Sequence, residues 1–565
     1  MRKHIKRKLA LFLGLTSLLA SCTLNFGGEQ SFSFAKPYSS ISLIDQDELE
    51  SRSREESLSR ENDPGVDYSD RLLSSNLAKS DLTCKTASKG KSGTNYAQMS
   101  KSVHSAKQVA DGIGDHVMDS IGEKRILVIP VIIKDYQDNV TEANRELIYK
   151  TFFGKSSDTS WESVSSYYYK SSFGNLLING TVSEWFDYGK TASELSHLTS
   201  QDVYGQNIGN FDPTLDVLDK AVEWYKKRYH TDCKEFDSDN DGRIDGVWLV
   251  YSAPTYQNNY QLGSSFWAYT FSKYQGTLNE ESPNPFRYCW GSVEFLKKAY
   301  GATGCDAHTY IHETGHMMGL DDYYDVNGRV SACGGVDMMD NNIADHNTFS
   351  KYGLGWTRPY LVSGDCEIDL KPASTSGESI IIPTEGGFSN SAFDEYILVE
   401  LYTPDELNAK DAASTGGYYG PYLRAFTNPG VKIYHIDARL ATSKLRLNQW
   451  GTWSYTTEFV QSYTQITTKA HTNSPSTGTQ SGYSNRLNDQ YRLIQMIDKE
   501  GRNFSTSMRF ASNNSLFKSG DSFSYDKFSS QFANKTTMNN GSKFAYSVSF
   551  SDLSASGVKV TITKG

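Results

Sequence analysis

Two histidines four residues apart, His312 and His316, with Glu313 directly after the first, constrain this chain more than any other stretch. On a helix over residues 309–319 both imidazoles fall on one face and can converge on a single metal ion. Glu313, one step round the helix, then reaches a water polarised by that metal without filling a ligand position, which is the arrangement of a zinc hydrolase. The five-residue pattern alone is only moderately specific in 565 residues, and its continuation strengthens it. Gly319 suits the left-handed position at which a helix ends, so a turn there swings Asp322 back towards the histidines. Three protein ligands then leave one position open for water. The apolar Ile311, Met317, Met318 and Leu320 bury such a helix, which argues against two solvated surface histidines.

A chain of this length holds two or three cores, and 38% hydrophobic with 13% aromatic residues is globular rather than disordered composition. A net charge of -10, with no Lys/Arg stripe beyond the first eight residues, argues against nucleic acid as a partner. Met1 to Lys8 is strongly basic, and the apolar run Leu9 to Ala20 is too short to span a bilayer as a finished helix, so residues 1–21 read as an export signal. The ending Leu19-Ala20-Ser21-Cys22 resembles a bacterial lipobox. That resemblance implies lipidation at Cys22 and anchoring to the outer face of the cell membrane; ordinary secretion with cleavage after a small residue is the rival. Cys84, Cys233, Cys289, Cys305, Cys333 and Cys366 remain, an even number in a compartment that permits disulfides. Their spacing fixes no pairing, and the absence of a CxxC pair argues against a cysteine zinc site.

Residues 22–123 are rich in Ser, Lys, Asp and Glu and read as a polar tether or a propeptide, with Cys84 able to act as a thiolate on the metal or as a structural thiol. A folded part is expected from 124 to 360. It opens with the β-branched run Arg125 to Ile133, a buried strand, followed by helices over 143–153 and 163–174, a strand from Leu176 to Trp185 and a helix from Leu215 to Tyr229. Asp237, Asp239, Asp241 and Asp245 recur at every second position around Gly242, apart from one skipped step, and oxygen ligands so spaced suit calcium. Trp248 stands where an EF-hand would place its bidentate Glu, so this is a related calcium loop or an acidic turn. Strands follow at 247–251 and 288–295, with an edge strand around Phe266, Trp267 and Tyr269. The key helix starts near Asp306 as its N-cap and carries His308, which reads as a packing or supporting group because it cannot easily reach the same metal.

The helix with Gly-Leu-Asp-Asp-Tyr-Tyr-Asp325 after it, the upstream Ser-Tyr-Tyr-Tyr-Lys-Ser-Ser-Phe-Gly174 block, the aspartate loop, and the segment from Asp345-His346-Asn347 to Leu-Gly-Trp356 occur in one order. In that order they resemble the M6 family of zinc metallopeptidases, the immune inhibitor A-like group, over roughly residues 124–360. The resemblance implies an α+β zincin-like catalytic domain, a twisted sheet plus the active-site helix, whose cleft edge aligns the substrate as an added strand. It implies Asp322 as third zinc ligand and Met339, or Met338, in a methionine turn beneath the metal. Many relatives carry Pro before the ligand aspartate and this chain has Asp321, which leaves Asp321 and Asp325 as rival ligands. Asp345 and His346 would hold a ligand in place or donate to the developing oxyanion; alternatively Asp345 and Asn347 cap the next helix.

Residues 361–565 carry no metal-ligand cluster. Runs at 379–383, 395–402, 431–436, 492–497 and 558–562, separated by Gly, Ser and Asn-rich turns, predict an antiparallel all-β, sandwich-like C-terminal domain that recognises glycans or buttresses the catalytic part. The stretch 471–488 reads as a mobile loop. The expectation is an exported zinc endopeptidase acting on extracellular proteins or peptides, with Zn2+ and, at the aspartate loop, Ca2+. Its alternatives are a surface adhesion protein on a retired zincin scaffold, which the intact His312, Glu313 and His316 disfavour, and a glycoprotein-directed zinc peptidase, whose signature continues into Asn-x-Gln where this chain has Met317-Met-Gly-Leu-Asp.

Overall fold

A computed structural model describes residues 93–209, 211–255, 266–274, 276–297, 305–340, 342–413, 425–447, 453–459, 467–474 and 490–565. The export signal, Cys22, Cys84, the tether up to residue 92 and positions 475–488 of the expected loop lie outside these residues.

The N-terminal part of the described chain runs β1 (Tyr96–Gln98), α1 (Ala106–Gly112), β2 (Gly122–Ile132), α2 (Glu142–Phe153), α3 (Val164–Ser171), β3 (Leu176–Val182), α4 (Thr214–Tyr229), β4 (Val247–Tyr251), β5 (Tyr269–Ser272), β6 (Arg287–Ser292), α5 (His308–Met317) and α6 (Thr348–Gly353). Its sheet has the order β3-β2-β4-β6-β5, with Phe186–Asp187 pairing beside β2. The interior pairs are parallel, and β5 closes the edge antiparallel to β6. Alternation along β2 divides the core. Leu127, Ile129 and Val131 meet Leu215, Leu218, Val222 and Tyr225 of α4, while Ile126, Val128 and Ile132 share a cluster with residues of α2, α3 and α5. Both faces are covered, which is why β2 reads as a continuous apolar run rather than an alternating one.

Several boundaries differ from expectation. The edge strand begins at Tyr269, after Phe266 and Trp267, and the expected strand over 288–295 gives way after Ser292 to a 3-10 turn over Val293–Lys297. The last thirty or so residues of the polar 22–123 segment are tied into the fold. There β1 pairs antiparallel with β7 (Tyr360–Val362), the Met118 N–H donates to the Met317 carbonyl at 2.8 Å, and Trp356 Nε1 donates to the Ser120 carbonyl at 2.7 Å. The helix α1 starts in a capping box at Ser105 and Gln108 and buries Ala106, Val109 and Ala110.

After β7 come β8 (Cys366–Leu370), β9 (Ile380–Pro383), β10 (Glu395–Tyr402), β11 (Gly430–Asp437), β12 (Leu440–Leu447), β13 (Trp453–Phe459), β14 (Thr467–Lys469), β15 (Ile494–Met496), β16 (Ser522–Ser524), β17 (Tyr546–Ser554) and β18 (Gly557–Lys564). One sheet has the order β1-β7-β9-β10-β11-β15, a second β8-β18-β17-β16 and a third β13-β12-β14. Short helices at Ala373–Ser376, Ala409–Ala413 and Tyr525–Phe528 lie among these strands, so the chain as a whole is mixed α/β with several sheets. Alternation again divides the packing. Ile380, Ile382, Ile397, Val399, Val431 and Ile433 share a cluster with Phe523, Val548, Phe550, Val560 and Ile562 of the second sheet, whereas Ile381, Tyr396, Leu398, Tyr434 and Ile436 join the cluster that surrounds α5. One core therefore runs continuously across residues 360 and 361. The described cysteines Cys233, Cys289, Cys305, Cys333 and Cys366 are free thiols.

A buried ion pair ties the two halves. Lys432 Nζ lies 2.8 Å from Glu400 Oε1, and Glu400 Oε2 accepts the Thr348 N–H and hydroxyl at the start of α6. Lys432→Ala leaves that carboxylate buried without its cation, so denaturant unfolding should register a loss of about 3–5 kcal/mol; a loss below about 1 kcal/mol, the level of an exposed pair, would contradict the role assigned to the pair.

Candidate metal centre

The helix α5 begins at His308 with Ala307 as N-cap, not Asp306. Asp306 still satisfies the helix start from one residue further out, because its carboxylate accepts the His308 N–H at 3.0 Å. The Tyr168 hydroxyl donates to the Ile311 carbonyl at 2.7 Å, and Trp248 Nε1 donates to Thr314 Oγ1 at 3.3 Å. The underside of the helix rests on the turn at 337–340: a Cβ at Gly315 would lie 2.6 Å from Met339 Sδ, so only glycine allows this approach. The helix stops two residues earlier than expected, and Gly319, at φ +87°, reverses the chain.

That reversal brings three ligand atoms together. Asp322 Oδ1 lies 3.1 Å from His312 Nε2 and 3.1 Å from His316 Nε2, and all three side chains are buried. Tetrahedral zinc with bonds of about 2.0–2.1 Å separates its ligand atoms by roughly 3.3 Å, so both separations to Asp322 Oδ1 are close to those of three ligands in a four-coordinate shell. The other ring nitrogens are fixed by backbone. His312 Nδ1 donates to the Met338 carbonyl and His316 Nδ1 to the Leu320 carbonyl, each at 2.8 Å. A carbonyl can only accept, so each Nδ1 carries its hydrogen and each Nε2 is left to face the metal position. Burial presses the His312 imidazole towards neutrality, yet the hydrogen bond and charge of Asp322 lift it to about 9. Burial likewise acts to raise Asp322, but the two histidines hold it well below the usual carboxylate range.

Glu313 is fully buried beside it. Oε2 accepts the Thr270 hydroxyl at 2.9 Å, whereas Oε1 has no hydrogen-bond partner among the described residues. Burial raises its carboxyl above the ordinary value, with His316 and His312 opposing. An orphaned buried oxygen next to a two-imidazole, one-carboxylate donor set fits zinc with a water at its open position.

No protein-family model matches the chain, and no curated protein matches it. The functional reading therefore rests on the geometry of these residues.

The rival aspartates are otherwise engaged. Asp321 Oδ2 lies 2.9 Å from Lys469 Nζ, and Asp325 accepts from Arg329 Nε at 3.0 Å and Nη2 at 3.2 Å and from two backbone N–H groups. At the turn over residues 337–340, Met338 supplies the carbonyl that orients His312, and Met339 supplies the side chain under Gly315, while its own carbonyl accepts the Tyr323 N–H at 2.7 Å. Asp345 pairs with Lys351 and takes the Ser171 hydroxyl, and His346 sits among the rings of Tyr167, Tyr168 and Trp356 with Nδ1 3.8 Å from Asp337. Among the described residues neither makes a hydrogen bond or ion pair to the triad, so they support the core behind it. The cap of α6 is Asn347, which accepts the Ser350 N–H at 3.0 Å; Asp345 has no part in it. His308 donates from Nε2 to the Asn342 carbonyl at 2.9 Å, and burial drives it down to about 3, which makes it a neutral packing group.

In the aspartate loop, carboxylate oxygens of Asp237, Asp239 and Asp241 lie within 4.8 Å of one another. Asp245 is turned away from them: it accepts the Ser238 N–H at 3.1 Å, and burial, opposed by Lys124, raises it to about 7. Sequence spacing missed Thr270, Arg287, Lys469 and the carbonyls of Met338 and Leu320, all of which hold the site through contacts that carry no local pattern.

Zinc analysis of purified variants should show loss of stoichiometric metal in Asp322→Ala and its retention in Asp321→Ala and Asp325→Ala; the reverse would reassign the third ligand. Calcium is expected to raise the melting temperature in a chelator-sensitive way that Asp239→Ala abolishes, and a melting temperature indifferent to calcium and chelator would remove the loop as a calcium site.

Proposed function

We propose that this chain is a zinc-dependent endopeptidase of the M6, immune inhibitor A-like kind, exported and lipid-anchored through Cys22. The observation that carries the reading is the convergence of His312 Nε2, His316 Nε2 and Asp322 Oδ1 beside a buried Glu313 with one unpartnered oxygen. Zinc bound by these three residues would polarise the scissile carbonyl and acidify the attacking water. Glu313 Oε1 takes that water's proton and delivers it to the leaving amine nitrogen, a role suited by the raised proton affinity of its buried carboxyl. The Met338 and Leu320 carbonyls keep both imidazoles in the ligating tautomer throughout.

Placement of the substrate falls to β5, the last strand of its sheet among the described residues, whose outer edge would take an extended peptide as an added strand. The mixed sheet with α5 across one face supports a zincin-like catalytic fold. The two C-terminal sheets that share an apolar cluster support a sandwich-like arrangement, in which the catalytic part is buttressed and glycans or glycoproteins can be recognised. Calcium at Asp237, Asp239 and Asp241 would brace the turn between α4 and β4.

Glu313→Ala should keep its zinc and lose casein cleavage by a factor of about 100 to 10,000, the usual contribution of a general base. Retained turnover in that variant would overturn the assignment.

A further inference from the structure

The edge strand β5 presents its side chains alternately. Tyr269 and Phe271 pack against the cluster on the α4 side, while Thr270 and Ser272 are buried on the side of α5. Both inward residues reach the metal helix. Thr270 Oγ1 lies 2.9 Å from Glu313 Oε2, and the Cys289 thiol on β6 lies 3.0 Å from the same hydroxyl. Ser272 Oγ accepts from Arg287 Nη1 at 2.8 Å, and Arg287 Nη2 donates to the His316 carbonyl at 3.1 Å.

Neither an ionised carboxylate nor a carbonyl has a hydrogen to give, so the Thr270 hydroxyl is the donor to Glu313, with Oε2 at 2.9 Å nearer than the Glu313 carbonyl at 3.2 Å. The Cys289 thiol, itself 3.4 Å from that carbonyl, is the group that can donate to Thr270. A donor fixed on a strand therefore occupies one carboxylate oxygen and leaves the other, Oε1, as the free one. A glutamate without that tether would swing between rotamers and present either oxygen or neither.

We propose that Thr270 is the positioning residue of the general base, and that β5 acts as a register element: an extended peptide paired with its outer edge is held by the same four-residue strand whose inner side sets the Glu313 carboxylate. The proposal rests on the reading of Glu313 as base. It implies that peptides too short to pair along β5 lose turnover more than affinity.

The test compares Thr270→Val, which keeps the shape and removes the hydroxyl, with Thr270→Ser, which keeps the hydroxyl, in the zinc-loaded full chain on a casein-derived peptide. Thr270→Val is expected to lower kcat by about 10- to 100-fold with KM within about twofold and zinc content unchanged, and Thr270→Ser to return kcat to within about threefold of the parent. A second readout needs no activity: in the metal-free chain, Thr270→Val and Glu313→Ala remove the same hydrogen bond, so their effects on the unfolding midpoint should be less than additive. Parent-like kcat in Thr270→Val, equal losses in the Val and Ser variants, or strict additivity would each overturn the role. If Glu313→Ala itself turns over substrate, the base reading falls and takes this one with it; if Glu313→Ala is inert while Thr270→Val matches the parent, only the role of Thr270 falls.

Discussion

One carboxylate oxygen between two imidazoles sets the terms for the rest of the molecule. Asp322 Oδ1 stands 3.1 Å from both His312 Nε2 and His316 Nε2 in a region from which water is largely removed. Three polar groups so buried are costly unless each is paired and something positive lies between them. The surrounding structure meets that requirement from several directions. The helix supplies the histidines, the left-handed Gly319 returns the aspartate, and two backbone carbonyls hold the rings.

The second constraint is that the elements bearing these groups are buried on more than one side. Strand β2 divides its alternate residues between two clusters, and the sheet containing β9, β10 and β11 does the same, with one face turned to the cluster around α5. Helix α5 thus lies in a core to which both halves of the chain contribute. Even residues just upstream of β2 take part, through Ala106, whose carbonyl oxygen a Cβ at Gly319 would approach to 3.1 Å, and through Met118, whose N–H holds the end of the helix. Rigid support of this kind is what the proposed hydrolytic role would require, since loss of alignment lowers rate.

The cluster of His312, His316 and Asp322 was legible because its geometry is local: a four-residue helical step brings His312 and His316 together, and a glycine turn returns Asp322. The same logic could not separate Asp322 from Asp321 and Asp325, because the decision lies with Lys469 and Arg329, which occupy the rivals, and Lys469 is far away in sequence. Period-two spacing grouped Asp245 with Asp237, Asp239 and Asp241, but the chain enters a short strand at Arg243–Ile244 and the Asp245 side chain turns back to the Ser238 N–H. Asp345, expected with His346 at the site as a supporting group or oxyanion donor, pairs with Lys351, and His346 lies among aromatic rings. Of the fold, the long buried strands and amphipathic α4 followed from periodicity. The exact span of the edge strand and the folding of the segment upstream of β2 did not, because their stability comes from pairing with distant strands and not from their own composition.

X-ray absorption at the zinc edge of the purified full chain reads out whether His312, His316 and Asp322 form a zinc site. The expected spectrum has four nitrogen and oxygen neighbours at about 2.0–2.1 Å, including the outer-shell scattering of two imidazoles. A chain that takes up no zinc, or zinc bound mainly by sulfur at about 2.3 Å, would contradict it.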